Sequence, residues 1–263
     1  MQQYKKILTI AGSDSGGCAG IQADIKTASA HGVFAASAIT AVTAQNTKGV
    51  TSIYPLPVDF LEQQLEAVLS DIGADAIKIG MLHSSAVVCT VARVLQKYSC
   101  KNVVLDPVMV ATSGDRLIEE ETVAYLAKEL FPMARIITPN LPEAEILTGQ
   151  KFTSCTDMER LVAGMTTWGN QAVLLKGGHM AGSQVLDLLY SQAGTRRFEQ
   201  ARINTKNTHG TGCSLSAAIA ANLALGLDLE TAVAKAISYL RRGLQRGKNY
   251  HTGGGAGPIW HFP

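Results

Sequence analysis

The chemistry in this sequence gathers first at Gly210-Thr211-Gly212-Cys213, a tight turn that opens the small-residue run SLSAAIAANLALG. A helix beginning near Cys213 leaves its first backbone N–H groups without partners, and its dipole adds partial positive charge there. Together these make an anion site. Glycine at 210 and 212 removes the Cβ atoms that would hold an oxyanion away from that backbone. At the mouth of such a site the dipole is expected to lower the thiol pKa of Cys213. Read alone, the string is explained equally well as an ordinary turn before a packed alanine-rich helix. A second group alters that balance. Asp106, and Asn140 with Glu143, are oxygen donors of the kind Mg²⁺ accepts directly or through its waters. An anion turn beside oxygen ligands suits transfer of phosphate. The usual nucleotide loops are missing, however: there is no G-x-x-x-x-G-K-[ST], and Gly12-x-x-x-Gly16 is not the dinucleotide fingerprint. Gly247-Lys248 is no substitute, because it lies at a helix end with no strand before it.

These residues need elements to hold them. Lys6 to Ala11 reads as a short buried strand that opens into the glycine loop 12–20 and then a helix over 21–32. Strands follow at Ser37–Ala44, Ala76–Gly80, Asn102–Leu105, Arg135–Asn140 and Ala172–Lys176, with a hairpin over 185–203. Helical spacing appears at 58–72, 87–98, 119–130, 158–169 and 229–246, and Pro142 with Glu143 and Glu145 marks a further helix start. Strands alternating with helices predict an α/β fold, a mostly parallel sheet covered on both faces. Gln45, Met81, Asp106, Asn140, Lys176 and the 210–213 turn then all fall at strand ends along one edge of the sheet, where ligands of such folds bind. No linker, repeat or low-complexity segment divides residues 1–263, so a single domain is expected.

Composition sets the outer bounds. The chain has 263 residues, 46% of them hydrophobic and 17% charged, which is ordinary for a globular protein with a large core. A formal net charge of +2 without like-charge runs, and only 6% aromatics, argue against a nucleic-acid or membrane-surface partner. The first twelve residues hold too short an apolar run for a signal peptide or membrane span. Cys18, Cys89, Cys100, Cys155 and Cys213 are odd in number and widely spaced, as expected of reduced thiols in a cytoplasmic protein.

Nine strings in order from end to end carry a resemblance. They are Ala11–Asp14, Ala19–Asp24, Ala44–Thr47, Lys78–Leu82, Val104–Met109, Ile137–Ala144, Lys176–His179, Thr208–Cys213 and Gly257-Pro258. With these the chain resembles the hydroxymethylpyrimidine/phosphomethylpyrimidine kinases of thiamine biosynthesis, within the ribokinase-like superfamily. The resemblance implies a three-layer sandwich, ATP and Mg²⁺ as cofactors, and a homodimer. It also implies two successive phosphorylations of 4-amino-5-hydroxymethyl-2-methylpyrimidine, first on the alcohol and then on the resulting phosphate. It places Cys213 where sugar kinases of the superfamily carry a catalytic aspartate, with Gly210, Thr211 and Gly212 as the anion hole. It puts Asn140 and Glu143 in the Mg²⁺–phosphate motif, Lys176 and Thr208 at nucleotide contacts, and Gln45, Met81, Val108, Gly12 and Asp24 at the pyrimidine pocket. The first loop departs from the family's usual Ser-Asp-Ser-Ser-Gly-Gly-Ala-Gly, or its proline version, since Gly16 and Cys18 replace Ser and Gly. A cysteine at 18 would be strained if that position needs a positive φ.

Physical sense fits the pocket residues. A glutamine offers a donor and an acceptor side by side, matching a ring nitrogen beside an exocyclic amine. Met81 and Val108 would supply apolar faces for a flat heterocycle. Core packing for those two, and loop polarity for Gln45, are the plain alternatives. Two other functions stay open: a pyridoxal kinase, which shares fold, turn and cysteine, and a sensor that binds a pyrimidine without turning it over.

Overall fold

A computed structural model describes residues 3–109, 118–119, 121–152 and 157–262. Nine strands form one sheet: β1 (Lys6–Asp14), β2 (Phe34–Asn46), β3 (Gly49–Pro55), β4 (Ala76–Ile79), β5 (Val103–Leu105), β6 (Ala134–Ile137), β7 (Ala172–Leu175), β8 (Gln184–Ser191) and β9 (Gly194–Ala201). Their spatial order is β3-β2-β1-β4-β5-β6-β7-β8-β9. The pairings from β2 through β7 are parallel, and β3, β8 and β9 add antiparallel edges.

The parallel strands are buried on both faces, and alternate residues serve opposite cores. Ile7, Ala76, Val104, Ile136 and Leu174 pack against α1 (Gly20–Ala30), α7 (Thr211–Ala224) and α8 (Leu229–Gly247). Their neighbours Leu8, Ile77, Leu105, Ile137 and Leu175 face the other layer. That layer holds α2 (Val58–Ala67), α3 (Ser85–Lys97), α4 (Thr122–Tyr125), α5 (Leu141–Thr148) and α6 (Asp157–Met165). Side-chain alternation along a strand therefore builds a three-layer sandwich from one run of apolar residues.

The expected α/β class and helix-strand alternation are found, with local differences. Strand β1 runs on to Asp14, so Gly12, Ser13 and Asp14 are strand residues. Strand β3 was not anticipated, because GVTSIYP carries only partly buried and exposed residues and lacks a clean apolar face. Helix α7 begins at Thr211, so Thr211 and Gly212 lie inside its first turn. In the first loop positive φ falls on Gly17 and Gly20, at 73° and 56°, and Cys18 is free of the feared strain. The helix expected over 119–130 is a short α4 that widens into a π turn over Leu126–Leu130, and Glu120 lies outside the described residues. Cys18, Cys89, Cys100 and Cys213 are free thiols, while Cys155 lies outside the described residues.

The chain leaves β1 for β2 on one side and later lays β4 on the other. The order thus reverses between β1 and β4. In open parallel sheets that reversal opens a crevice beyond the carboxyl ends of the strands.

Candidate active site

A cavity of about 720 Å³ opens beyond that reversal. Every residue picked out from the sequence lines it except Asp24. The strand ends deliver Gly12 from β1, Gln45 from β2, Met81 after β4, Asp106 and Val108 after β5, Asn140 after β6 and Lys176 after β7. Thr208 and the Gly210–Cys213 segment line the same cavity.

The phosphate side is built around an ion pair. Lys176 Nζ lies 2.7 Å from Asp106 Oδ1, and Thr138 Oγ1 donates to the same oxygen at 3.0 Å. Burial disfavours the Lys176 ammonium, but Asp106 and Glu143 outweigh it and raise its pKa. Helix α7 points its N-terminus at this pair. Gly210 takes the N-cap position with φ 76°, and no side chain caps the first turn. Thr211 N donates to Thr208 O at 3.3 Å, and the N–H groups of Gly212 and Cys213 are left for a ligand. A Cβ on Gly212 would stand 3.4 Å from Lys176 Nζ and 3.5 Å from Asp106 Oδ2, so the bare backbone adjoins the charges. Gly210 has a different reason: a Cβ there would lie 1.8 Å from the Cys18 carbonyl oxygen. This glycine lets the turn rest on the first loop, beyond any role in admitting an anion.

Asn140 and Glu143 form a reciprocal cap on α5. The Asn140 side chain accepts from Glu143 N at 2.9 Å, and Glu143 Oε2 accepts from Asn140 N at 2.7 Å. This is a capping box with asparagine in the cap position. Burial pushes the Glu143 carboxyl up to about 7, opposed by Lys176 and reinforced by Asp106. Two carboxylates that repel across a cavity are a donor set that a hard divalent cation would relieve, so Asp106 and Glu143 fit Mg²⁺. Asn140 fits less directly. Its side-chain oxygen is committed to the cap, which leaves the amide nitrogen to donate to a phosphate oxygen.

Cys213 departs from expectation. Its thiol is pushed up to about 11, first by burial and then by Asp24 and Asp106, against the opposing effects of Lys78 and a hydrogen bond from the Gly20 backbone. The helix dipole is thus outweighed by desolvation and neighbouring carboxylates. The thiol is protonated at neutral pH in the ligand-free protein.

Gln45 is held at both ends. Thr43 Oγ1 lies 3.0 Å from its Oε1, and its Nε2 lies 3.0 Å from His209 Nε2. Gly12 allows the Met81 methyl to approach, since a Cβ there would sit 2.7 Å from Met81 Cε. Asp24 requires correction. It is fully buried in α1 behind the cavity, where its Oδ2 accepts from Thr9 Oγ1 at 2.6 Å and from Lys78 Nζ at 2.8 Å. Any influence of Asp24 on a ligand passes through Lys78, which does line the cavity.

Lys78, Asp14, His209 and Arg202 were missed as site residues. Lys78 had a legible signal, a lysine between the isoleucines of a four-residue apolar strand. Burial opposes its charge, but Asp24, Cys213 and Asp106 raise its pKa. Asp14 is desolvated too, yet His209 and the N–H groups of Ala19, Gly16 and Cys18 hold its carboxyl below the usual range. Arg202 donates to the carbonyls of Gly178, Met180 and Gly182, which ties down the turn after Lys176. The glycine-rich tail also has a place: Ala256 N donates to Thr47 O, and His209 N donates to Gly257 O. The tail thereby stitches the segment after Gln45 to the anion turn.

Comparison with known proteins agrees with this geometry. The chain is 47% identical over 257 residues to the hydroxymethylpyrimidine/phosphomethylpyrimidine kinase of Escherichia coli, covering 97% of this chain and 96% of that one. It is 45% identical over 256 residues to the thiamine biosynthesis bifunctional protein ThiED of Geobacter sulfurreducens, covering 97% of this chain and 52% of that longer protein. An ADP complex of Bacillus subtilis pyridoxal kinase superposes with a TM-score of 0.91 at 33% identity, covering 98% of both chains. The family described as phosphomethylpyrimidine kinase matches residues 14–260, from the aspartate that anchors the first loop to the aromatic tail. With that match over most of its length, and an uncapped helix N-terminus beside a lysine–carboxylate pair in one cavity, the chain belongs to the phosphomethylpyrimidine kinase family.

Proposed function

We propose that the protein transfers the γ-phosphoryl group of ATP to the hydroxymethyl group of 4-amino-5-hydroxymethyl-2-methylpyrimidine and then to the monophosphate, giving the diphosphate used in thiamine biosynthesis. The observation that carries this reading is that Gln45, Lys176, Asp106 and the uncapped start of α7 line one cavity. Gln45, with Met81 and Val108 as apolar faces, would hold the aminopyrimidine edge. Lys176 and Thr208 would meet the nucleotide phosphates, and the N–H groups of Gly212 and Cys213 would receive the charge that develops on the transferring group. Asp106 and Glu143 would hold Mg²⁺, with Asn140 beside them on a phosphate oxygen. Bound there, the ion would neutralise phosphate charge. Cys213 would take the alcohol proton in the first reaction only, because a phosphate monoester is already largely ionised at pH 7.

A homodimer acting in the cytoplasm belongs to the same reading. Among the described residues no helix is long and apolar enough to cross a membrane. The pyridoxal kinase alternative rests on the shared sandwich and keeps a place in the test. The assay follows ATP consumption and product mass over the pyrimidine alcohol, its monophosphate, pyridoxal and pyridoxine. The expected result is mono- and diphosphate from the pyrimidine, with higher kcat/KM than for either pyridine. Preference for a pyridine would overturn the substrate, and absence of ATP consumption with every compound would overturn the kinase.

A further inference from the structure

The first loop contains a cluster that the phosphoryl-transfer reading leaves unused. Asp14, Cys18 and His209 are buried, and one ligand atom from each lies within 4.8 Å of the other two. His209 Nε2 and Asp14 Oδ2 are 3.5 Å apart. Two atoms on one tetrahedral zinc ion, with bonds of about 2.0–2.3 Å, stand roughly that far apart. The carboxylate is fixed in place: Oδ1 accepts from Gly16 N at 2.7 Å, and Oδ2 accepts from Cys18 N and Ala19 N at 2.9 and 2.8 Å. Hydrogen bonds of this kind orient metal-ligating carboxylates. The sulfur comes from Cys18, whose Sγ lies 3.5 Å from Gly16 O.

We propose that Asp14, Cys18 and His209 form a three-ligand site for a borderline-soft divalent cation such as Zn²⁺, with a fourth position open to the cavity. One thiolate, one imidazole and one carboxylate favour such an ion over Mg²⁺. Asp14 and His209 line the cavity, which provides the entry path. Binding would release the Cys18 thiol proton to solvent and take the His209 Nε2 lone pair, with no change of oxidation state. That nitrogen now pairs with the Gln45 amide at 3.0 Å, so occupancy would free Gln45 at the cavity edge. The effect on substrate rests on the role given to Gln45; the metal site does not.

Co²⁺ alone, titrated into chelator-treated full-length protein without nucleotide, tests the site. One equivalent should give the near-ultraviolet thiolate charge-transfer band and the intense visible bands of tetrahedral Co²⁺, and one equivalent of Zn²⁺ should remove both. Cys18→Ser should abolish the thiolate band and weaken Zn²⁺ binding by at least about tenfold. A protein that retains Cys18 but carries serine at 89, 100, 155 and 213 should keep the band. Absence of the band in the unaltered protein, its survival in Cys18→Ser, or its loss from the protein retaining only Cys18 would each overturn the proposal.

Discussion

Cys213 and Gln45 carry the sharpest expectations at the scale of single residues. With its thiol at about 11, Cys213 is a base whose active form is scarce at neutral pH. Its thiolate fraction grows about tenfold for each pH unit below that value. Alcohol phosphorylation should therefore rise between pH 7 and 9, while phosphorylation of the monophosphate stays flat because that substrate is already ionised. Cys213→Ala should slow the alcohol reaction roughly 10²–10⁴-fold, erase its pH rise, and leave the second reaction much less affected. Rates of the two half-reactions across that pH range decide it, and equal slowing of both would refute the selective base. Gln45→Leu removes the amide that Thr43 and His209 now hold in position. An unpaired aminopyrimidine edge should cost about 1–3 kcal/mol of substrate affinity. ATP affinity, measured on the same variant by calorimetry, should be nearly unchanged. Equal losses for both ligands would point to a structural role.

Helix α5 joins structure to chemistry at the scale of elements. Glu143→Gln keeps a carbonyl oxygen to accept the Asn140 N–H, so the reciprocal cap survives while the charge and its interaction with the Met109 N–H are lost. The Mg²⁺ concentration for half-maximal rate should rise and turnover should fall, with little change in thermal midpoint. Unchanged Mg²⁺ dependence would remove Glu143 from the metal set. The same scale shows what the sequence made legible. Strands β4 to β7 are short apolar runs and could be read directly, and their ends gave Asp106, Asn140 and Lys176. Strand β3 could not be read, because GVTSIYP buries neither face and is held by pairing with β2. The sequence pattern puts the start of α7 about two residues late, since Thr211 and Gly212 have no helical pattern of their own and are set by Gly210 resting on Cys18. The Cys213 thiol was misjudged for a related reason. The dipole belongs to the local sequence, whereas Asp24 and Asp106 reach the thiol only through the fold.

At the scale of the molecule, one buried contact ties the helical layer to the sheet beneath the cavity. Lys78 of β4 and Asp24 of α1 are both fully buried and meet at 2.8 Å, with Thr9 of β1 on the same carboxylate oxygen. Asp24 Oδ1 has no hydrogen-bond partner among the described residues. An incompletely satisfied buried pair gives little net stability compared with apolar packing, yet either member alone is costly. Lys78→Met strands the carboxylate and should lower stability by about 3–5 kcal/mol, as should Asp24→Leu by stranding the ammonium. The double variant should regain most of that loss, because no charge is left buried. Turnover should not return with it, since Lys78 lines the cavity beside the start of α7. Denaturant unfolding of the four proteins gives the coupling, and kinase assays on the folded double variant give the functional half. Additive stability losses would show that the pair does not act as a unit. Wild-type turnover in the double variant would show that Lys78 serves only to neutralise Asp24. Recovery of stability without activity would assign Asp24 the task of keeping a charged lysine inside the sheet, at the point where strand order reverses and the cavity opens.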